Sequence, residues 1–101
     1  MKTSKFDAAD YLETPEEVAL FINAALEDGD PTVVKHAIGT AARSRGMAAI
    51  AEETDLNRTS LYRAFEDDGN PLFFNVLKVL SSMGLSLQVV PTDALAGKAS
   101  A

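Results

Sequence analysis

Gly46-Met47-Ala48-Ala49-Ile50-Ala51-Glu52-Glu53-Thr54-Asp55-Leu56-Asn57-Arg58-Thr59-Ser60-Leu61-Tyr62-Arg63-Ala64-Phe65 reads as two short helices joined by a tight turn. The first runs from Met47 to about Thr54, with Ile50 and Ala51 inward. Asp55-Leu56 makes the turn, and Asp55 stands where a left-handed residue is needed. Aspartate tolerates that conformation better than most residues. Asn57 is a good N-cap for a second helix from Arg58 to about Glu66, because its side-chain oxygen can accept an orphan backbone N–H. Ala51 is small where the helices must touch, Leu56 plugs the space between them, and Leu61, Ala64 and Phe65 line the buried side.

The polar side of the second helix then carries Arg58, Thr59, Tyr62 and Arg63. A helix entering a major groove presents its N-terminal side chains to base edges and phosphates. Arginine can bond guanine in bidentate fashion, threonine can bond a base or touch a thymine methyl, and tyrosine suits a phosphate. The candidate DNA-contacting set is Asn57, Arg58, Thr59, Ser60, Tyr62 and Arg63. The competing reading is a structural helical hairpin with surface arginines, serving only protein interaction.

Outward from the pair the pattern stays helical. Thr14-Pro15-Glu16-Glu17 is a capping box with proline at the first helical position. Val18, Phe21, Ile22, Ala25 and Leu26 follow at helical spacing, and Gly29 is a natural stop. Asp30-Pro31 starts a second helix whose apolar face is Val34, Ala37, Ile38, Ala41 and Ala42; it ends at Gly46, after Arg43 and Arg45. Asn70-Pro71 predicts a further cap-plus-proline start, for a helix from Leu72 to Met83 with Gly84 as its left-handed cap. Leu85-Ser86-Leu87-Gln88-Val89-Val90 reads as one β-strand. Such a strand needs a ladder, from the segment near Phe6–Leu12, a symmetry mate or another protein. Four of the phenylalanines, Phe21, Phe65, Phe73 and Phe74, are expected in the core.

The expected fold is therefore all-α, a five-helix repressor-like domain with one short C-terminal β-strand. Residues 1–13 form an N-terminal acidic arm, residues 14–90 the helix-turn-helix domain, and residues 91–101 a flexible tail. A chain of 101 residues is one domain by size, with a modest core that a homodimer would enlarge.

Charge is uneven. The net charge is −6, yet residues 1–30 hold eight acids against Lys2 and Lys5, whereas residues 31–63 hold five bases against three acids. An acidic arm thus precedes a mildly basic middle, which suits two partners of opposite charge. The chain has no cysteine and one histidine, His36, so thiolate metal sites and disulfides are excluded and no cofactor is expected. Adjacent Glu52 and Glu53 point about 100° apart on a helix and do not make a carboxylate pair. No nucleophile, base and orienting group converge, so no enzyme is expected. No apolar run is long enough to span a membrane, and no export signal is read; a cytoplasmic location is expected.

The quoted stretch resembles the helix-turn-helix of the addiction module antidote proteins, a HigA-like branch of the Cro/C1 repressor superfamily. Gly69-Asn70-Pro71, Phe74-Asn75-Val76-Leu77-Lys78-Val79-Leu80 and Met83-Gly84-Leu85 resemble the same family. So do Phe6-Asp7, Tyr11-Leu12 and Asn23-Ala24-Ala25-Leu26-Glu27-Asp28-Gly29-Asp30-Pro31, so that the likeness covers about residues 6–90. The resemblance implies an antitoxin that binds operator double-stranded DNA, represses its own operon and neutralises a small RelE/ParE-like toxin. A solitary helix-turn-helix regulator without a toxin is the alternative. Two positions depart from the superfamily pattern: Met47-Ala48-Ala49 stands where a polar, often glutamine, residue holds a phosphate, and Asp55 replaces the turn glycine. Phe6 and Tyr11, in the acidic arm, either staple that arm to the domain or serve as the candidate apolar anchors for the toxin.

Overall fold

A computed structural model describes residues 8–66 and 68–93. Among these residues the chain is all-helical, with a 3-10 helix at Ala8–Tyr11 and five α-helices: α1 Pro15–Asp28, α2 Pro31–Arg45, α3 Met47–Thr54, α4 Arg58–Ala64 and α5 Phe73–Ser82.

The helix starts follow local chemistry. The Thr14 side chain accepts from the Glu17 N–H at 3.1 Å, and the Glu17 carboxylate accepts from the Thr14 N–H at 3.1 Å, closing the capping box. Asp30 accepts from the Thr32 N–H at 2.9 Å with Pro31 next in line. Each pair satisfies backbone donors that a first turn leaves without partners. Gly46 separates α2 from α3 at φ 105° and ψ 116°, a conformation that a Cβ disfavours. That residue both closes α2, donating to Ala42 O at 2.9 Å, and opens α3, accepting from the Ile50 N–H at 3.1 Å.

The core gathers one stripe from every helix. Val18 and Ile22 of α1 meet Ile38, Ala41 and Ala42 of α2, Met47 and Ile50 of α3, Leu61 of α4, Phe65, and Val79, Leu80 and Met83 at the end of α5. Ile50 and Val79 are the largest side chains sealed completely from solvent. Gly39 lets α2 approach α4 closely: a Cβ there would lie 3.0 Å from the Phe65 Cβ.

Four expectations are corrected. Residues 85–90 form no strand. The Leu85 N–H instead donates to Leu80 O at 2.9 Å, and the Leu85 side chain packs on the core. The nearest proposed partner inside the chain is curled into the 3-10 helix at Ala8–Tyr11, packed on α2, and so offers no extended edge. Second, α5 begins two residues beyond Pro71, with Leu72 as its cap and no side-chain cap bond. Lys35 Nζ donates to Gly69 O at 2.9 Å and ties the preceding loop to α2. Third, of the four phenylalanines expected inside, Phe65 is buried and Phe21 half-buried, whereas Phe73 and Phe74 are exposed. Leu26, expected on the inner face of α1, is 45% exposed. Gly84, at φ 79°, takes the left-handed conformation expected of it.

Candidate nucleic-acid interface

The α3–α4 pair is built on three buried anchors. Met47 and Ile50 fix α3 to the core, and Leu61 fixes α4. Thr54, at the end of α3, is buried, with its hydroxyl donating to Ile50 O at 2.7 Å. That bond satisfies the polar atom and leaves it no surface role. Asp55 turns the chain at φ 60° and ψ 32°, the left-handed conformation expected of that residue. Leu56 is half-buried against the core, and its N–H bonds Ala51 O at 3.2 Å. Asn57 then caps α4, its Oδ1 accepting from the Ser60 N–H at 3.0 Å.

Helical geometry sorts the side chains of α4. At 100° per residue, Arg58, Tyr62, Thr59 and Arg63 fall within an arc of about 140°. All four are exposed, whereas Leu61, well outside that arc, is buried, as is Phe65 at the C-cap. Asn57 and Ser60 are also exposed at the N-terminal end. The six candidate residues therefore lie together on one end and one face of a short helix.

The electrostatics of that face are graded. Arg63 and Ser60 border a groove whose other walls include Glu66, Asp68, Gly69 and Asn70, so the C-terminal end of α4 is flanked by acids. The N-terminal end, with Arg58 and Thr59, is the end suited to an anion or an electronegative base edge. Arg45, the last residue of α2, pairs with Glu53 of α3 at 3.3 Å. Both side chains are nearly half exposed, and such pairs stabilise by about 0–1 kcal/mol. The start of α3 has no side-chain cap: Met47 is buried, and Ala48 offers only a methyl group.

A second groove, between α2 and α4, includes His36, Thr40 and Arg43 on one wall and Tyr62 and Glu66 on the other. Sequence reasoning gave the α2 residues no part in the interface. Their spacing of four and three residues marks one helix face, but which neighbour that face meets is a tertiary fact. The other two candidate residues belong to the N-terminal segment. Phe6 lies outside the described residues. Tyr11 ends the 3-10 helix and is exposed, as are Glu13, Glu16 and Glu17, which follow it in the chain. Among the described residues no group of three or more histidines, cysteines or acids is arranged to hold a metal ion, and no helix is long and apolar enough to cross a membrane.

Residues 2–91 match a family profile described as "Probable addiction module antidote protein". An uncharacterized protein of Haemophilus influenzae is 37% identical over 84 residues, covering 83% of this chain and 87% of that protein. No solved structure matches.

Proposed function

We propose a function from one premise: the chain belongs to the family of probable addiction module antidote proteins. The reading is that it acts as the antitoxin of a type II pair. It binds operator DNA through α3 and α4, represses its own operon and neutralises a RelE/ParE-like toxin, as a HigA-like, Cro/C1-type regulator. A binding and regulatory role of this kind requires no catalysis. The observation that carries the DNA side is the exposed arc Arg58–Thr59–Tyr62–Arg63 on a helix anchored by Leu61 and introduced by a tight turn. Side chains on such an arc reach base edges and phosphates without disturbing the core.

A homodimer completes the reading. One recognition helix covers one half-site, and two half-sites a helical turn apart require two copies. The apolar surface at the start of α5 supports this: Leu72, Phe73 and Phe74 are exposed, and Phe74 is 75% so. Leu87 lines the same groove as Phe73, and Val89 beyond it is 91% exposed. Contiguous apolar surface of this kind marks interaction sites. The toxin contact is assigned to the acidic arm with Tyr11 and Phe6. Charge speeds the encounter with a basic toxin, and the aromatic anchors lengthen residence.

Co-expression with the adjacent small gene, purification and a shift assay on the upstream DNA test the whole reading. Co-purification with the small protein and a salt-sensitive shift are expected. A chain that binds neither the small protein nor any duplex defeats it.

A further inference from the structure

The α3–α4 pair is poor in positive charge for a DNA-binding element. Residues 46–66 contain Arg58 and Arg63 against Glu52, Glu53, Asp55 and Glu66. Duplex DNA is held largely by cations that displace counterions from its phosphates, so further cations have to come from elsewhere in the fold. Lys35 is bonded to Gly69 O and Arg45 to Glu53. Lys78 lies in the groove between α3 and α5, beside Glu53. Arg43 differs from these in position. It is exposed on the last turn of α2 and lines the same groove as Tyr62 of α4. Its Nη2 donates to Thr40 Oγ1 at 3.3 Å, which orients the guanidinium along the α2 row that faces α4.

We infer that Arg43, with the Tyr62 hydroxyl across the groove, holds one backbone phosphate of the duplex beside α4. This rests on the nucleic-acid reading of α4 given above. The planar guanidinium presents paired donors that match phosphate oxygens, and the phenol adds a third donor. Contacts of this class position a protein on DNA and carry no sequence information. Arg43 is therefore an affinity residue and Arg58 a specificity residue. Glu66 lines the same groove and repels the same phosphate, so Arg43 and Glu66 act with opposite sign.

The test is a fluorescence-anisotropy titration of the full chain over a series of salt concentrations. Two duplexes are used: the DNA upstream of the chain's own gene, and a scrambled duplex of the same length and composition. Arg43→Gln is expected to weaken both by the same factor, about tenfold, as fits loss of a charge-assisted hydrogen bond. Its plot of log affinity against log salt should be shallower by about 1. Arg43→Lys should keep the wild-type slope, and Glu66→Gln should tighten both duplexes. Arg58→Ala should instead lower the preference for the upstream DNA. Far-UV circular dichroism checks the fold of each variant, and Glu66→Gln remains decisive should Arg43→Gln unfold. The inference is overturned if wild type binds while Arg43→Gln keeps its affinity and slope, if Arg43→Gln affects only the upstream duplex, or if Glu66→Gln fails to tighten binding. If wild type binds neither duplex, the nucleic-acid reading itself falls, and this inference with it.

Discussion

Gly46 offers a clean measurement of backbone strain, because it joins α2 to α3 and a Cβ added there meets nothing within 4 Å. Gly46→Ala therefore introduces no clash, and its cost is conformational. At φ 105° and ψ 116° the residue lies outside the regions that L-residues favour, and strain of this kind costs about 1–3 kcal/mol. Reduced freedom of the unfolded chain returns about 0.4–1 kcal/mol. The net loss from the upper part of that range is about 2 kcal/mol. Gly29 is the internal control: it is also open to a Cβ, but at φ 84° and ψ −4° it sits near the ordinary left-handed region. That region costs an L-residue about 1–2 kcal/mol, so Gly29→Ala should lose about 1 kcal/mol or less after the same offset. At about 4–8 °C per kcal/mol for a domain near this size, Gly46→Ala should melt about 8–16 °C below wild type. Gly29→Ala should fall by less than about 8 °C. The assay is thermal and urea unfolding followed by far-UV circular dichroism. A Gly46→Ala protein as stable as wild type, or less affected than Gly29→Ala, would refute the assignment of strain to this junction.

Arg58→Ala and Arg63→Ala should each weaken operator binding by about 1–3 kcal/mol in a shift assay, with unchanged circular dichroism; wild-type binding by both would exclude α4 as the reading helix. Asn57→Ala removes the bond to the Ser60 N–H and should cost about 1 kcal/mol of stability in urea unfolding; no loss would mean that water replaces the cap. Deleting residues from Leu85 onward strips the core of the Leu85 side chain and removes one of the two N–H bonds to Leu80 O, and should yield a monomer or an unstable protein by light scattering. A well-folded dimer after that deletion would refute the placement of the interface. Removing residues 1–12 should abolish toxin binding in a pull-down while sparing DNA binding; a truncated chain that still protects cells would move the toxin contact to residues 85–90.

The structural features legible in the sequence are those closed within a turn or two of chain. Thr14 with Glu17, Asp30 with Thr32 and Asn57 with Ser60 make bonds two or three residues apart, so these three helix starts are local events that the sequence reveals. The left-handed turn at Asp55 and the polar arc Arg58–Arg63 opposite Leu61 follow from the same short-range geometry. Residues 85–90 show the limit. Alternation and β-branching confer a capacity to extend, but a strand exists only where a second edge supplies its hydrogen bonds. In this chain the segment near Tyr11 is wound into a 3-10 helix, and Leu85 is drawn to the core. The phenylalanines divide for a related reason. Phe65 lies where α4 ends against Gly39 of α2, whereas Phe73 and Phe74 stand on the first turn of α5, before that helix reaches the core with Val79 and Leu80. Apolar character alone did not distinguish them; the positions of the neighbouring helices did. The groove shared by Arg43 and Tyr62 likewise joins residues on helices distant in sequence. Each helix determines which of its side chains share a face, and only packing between helices determines what that face meets.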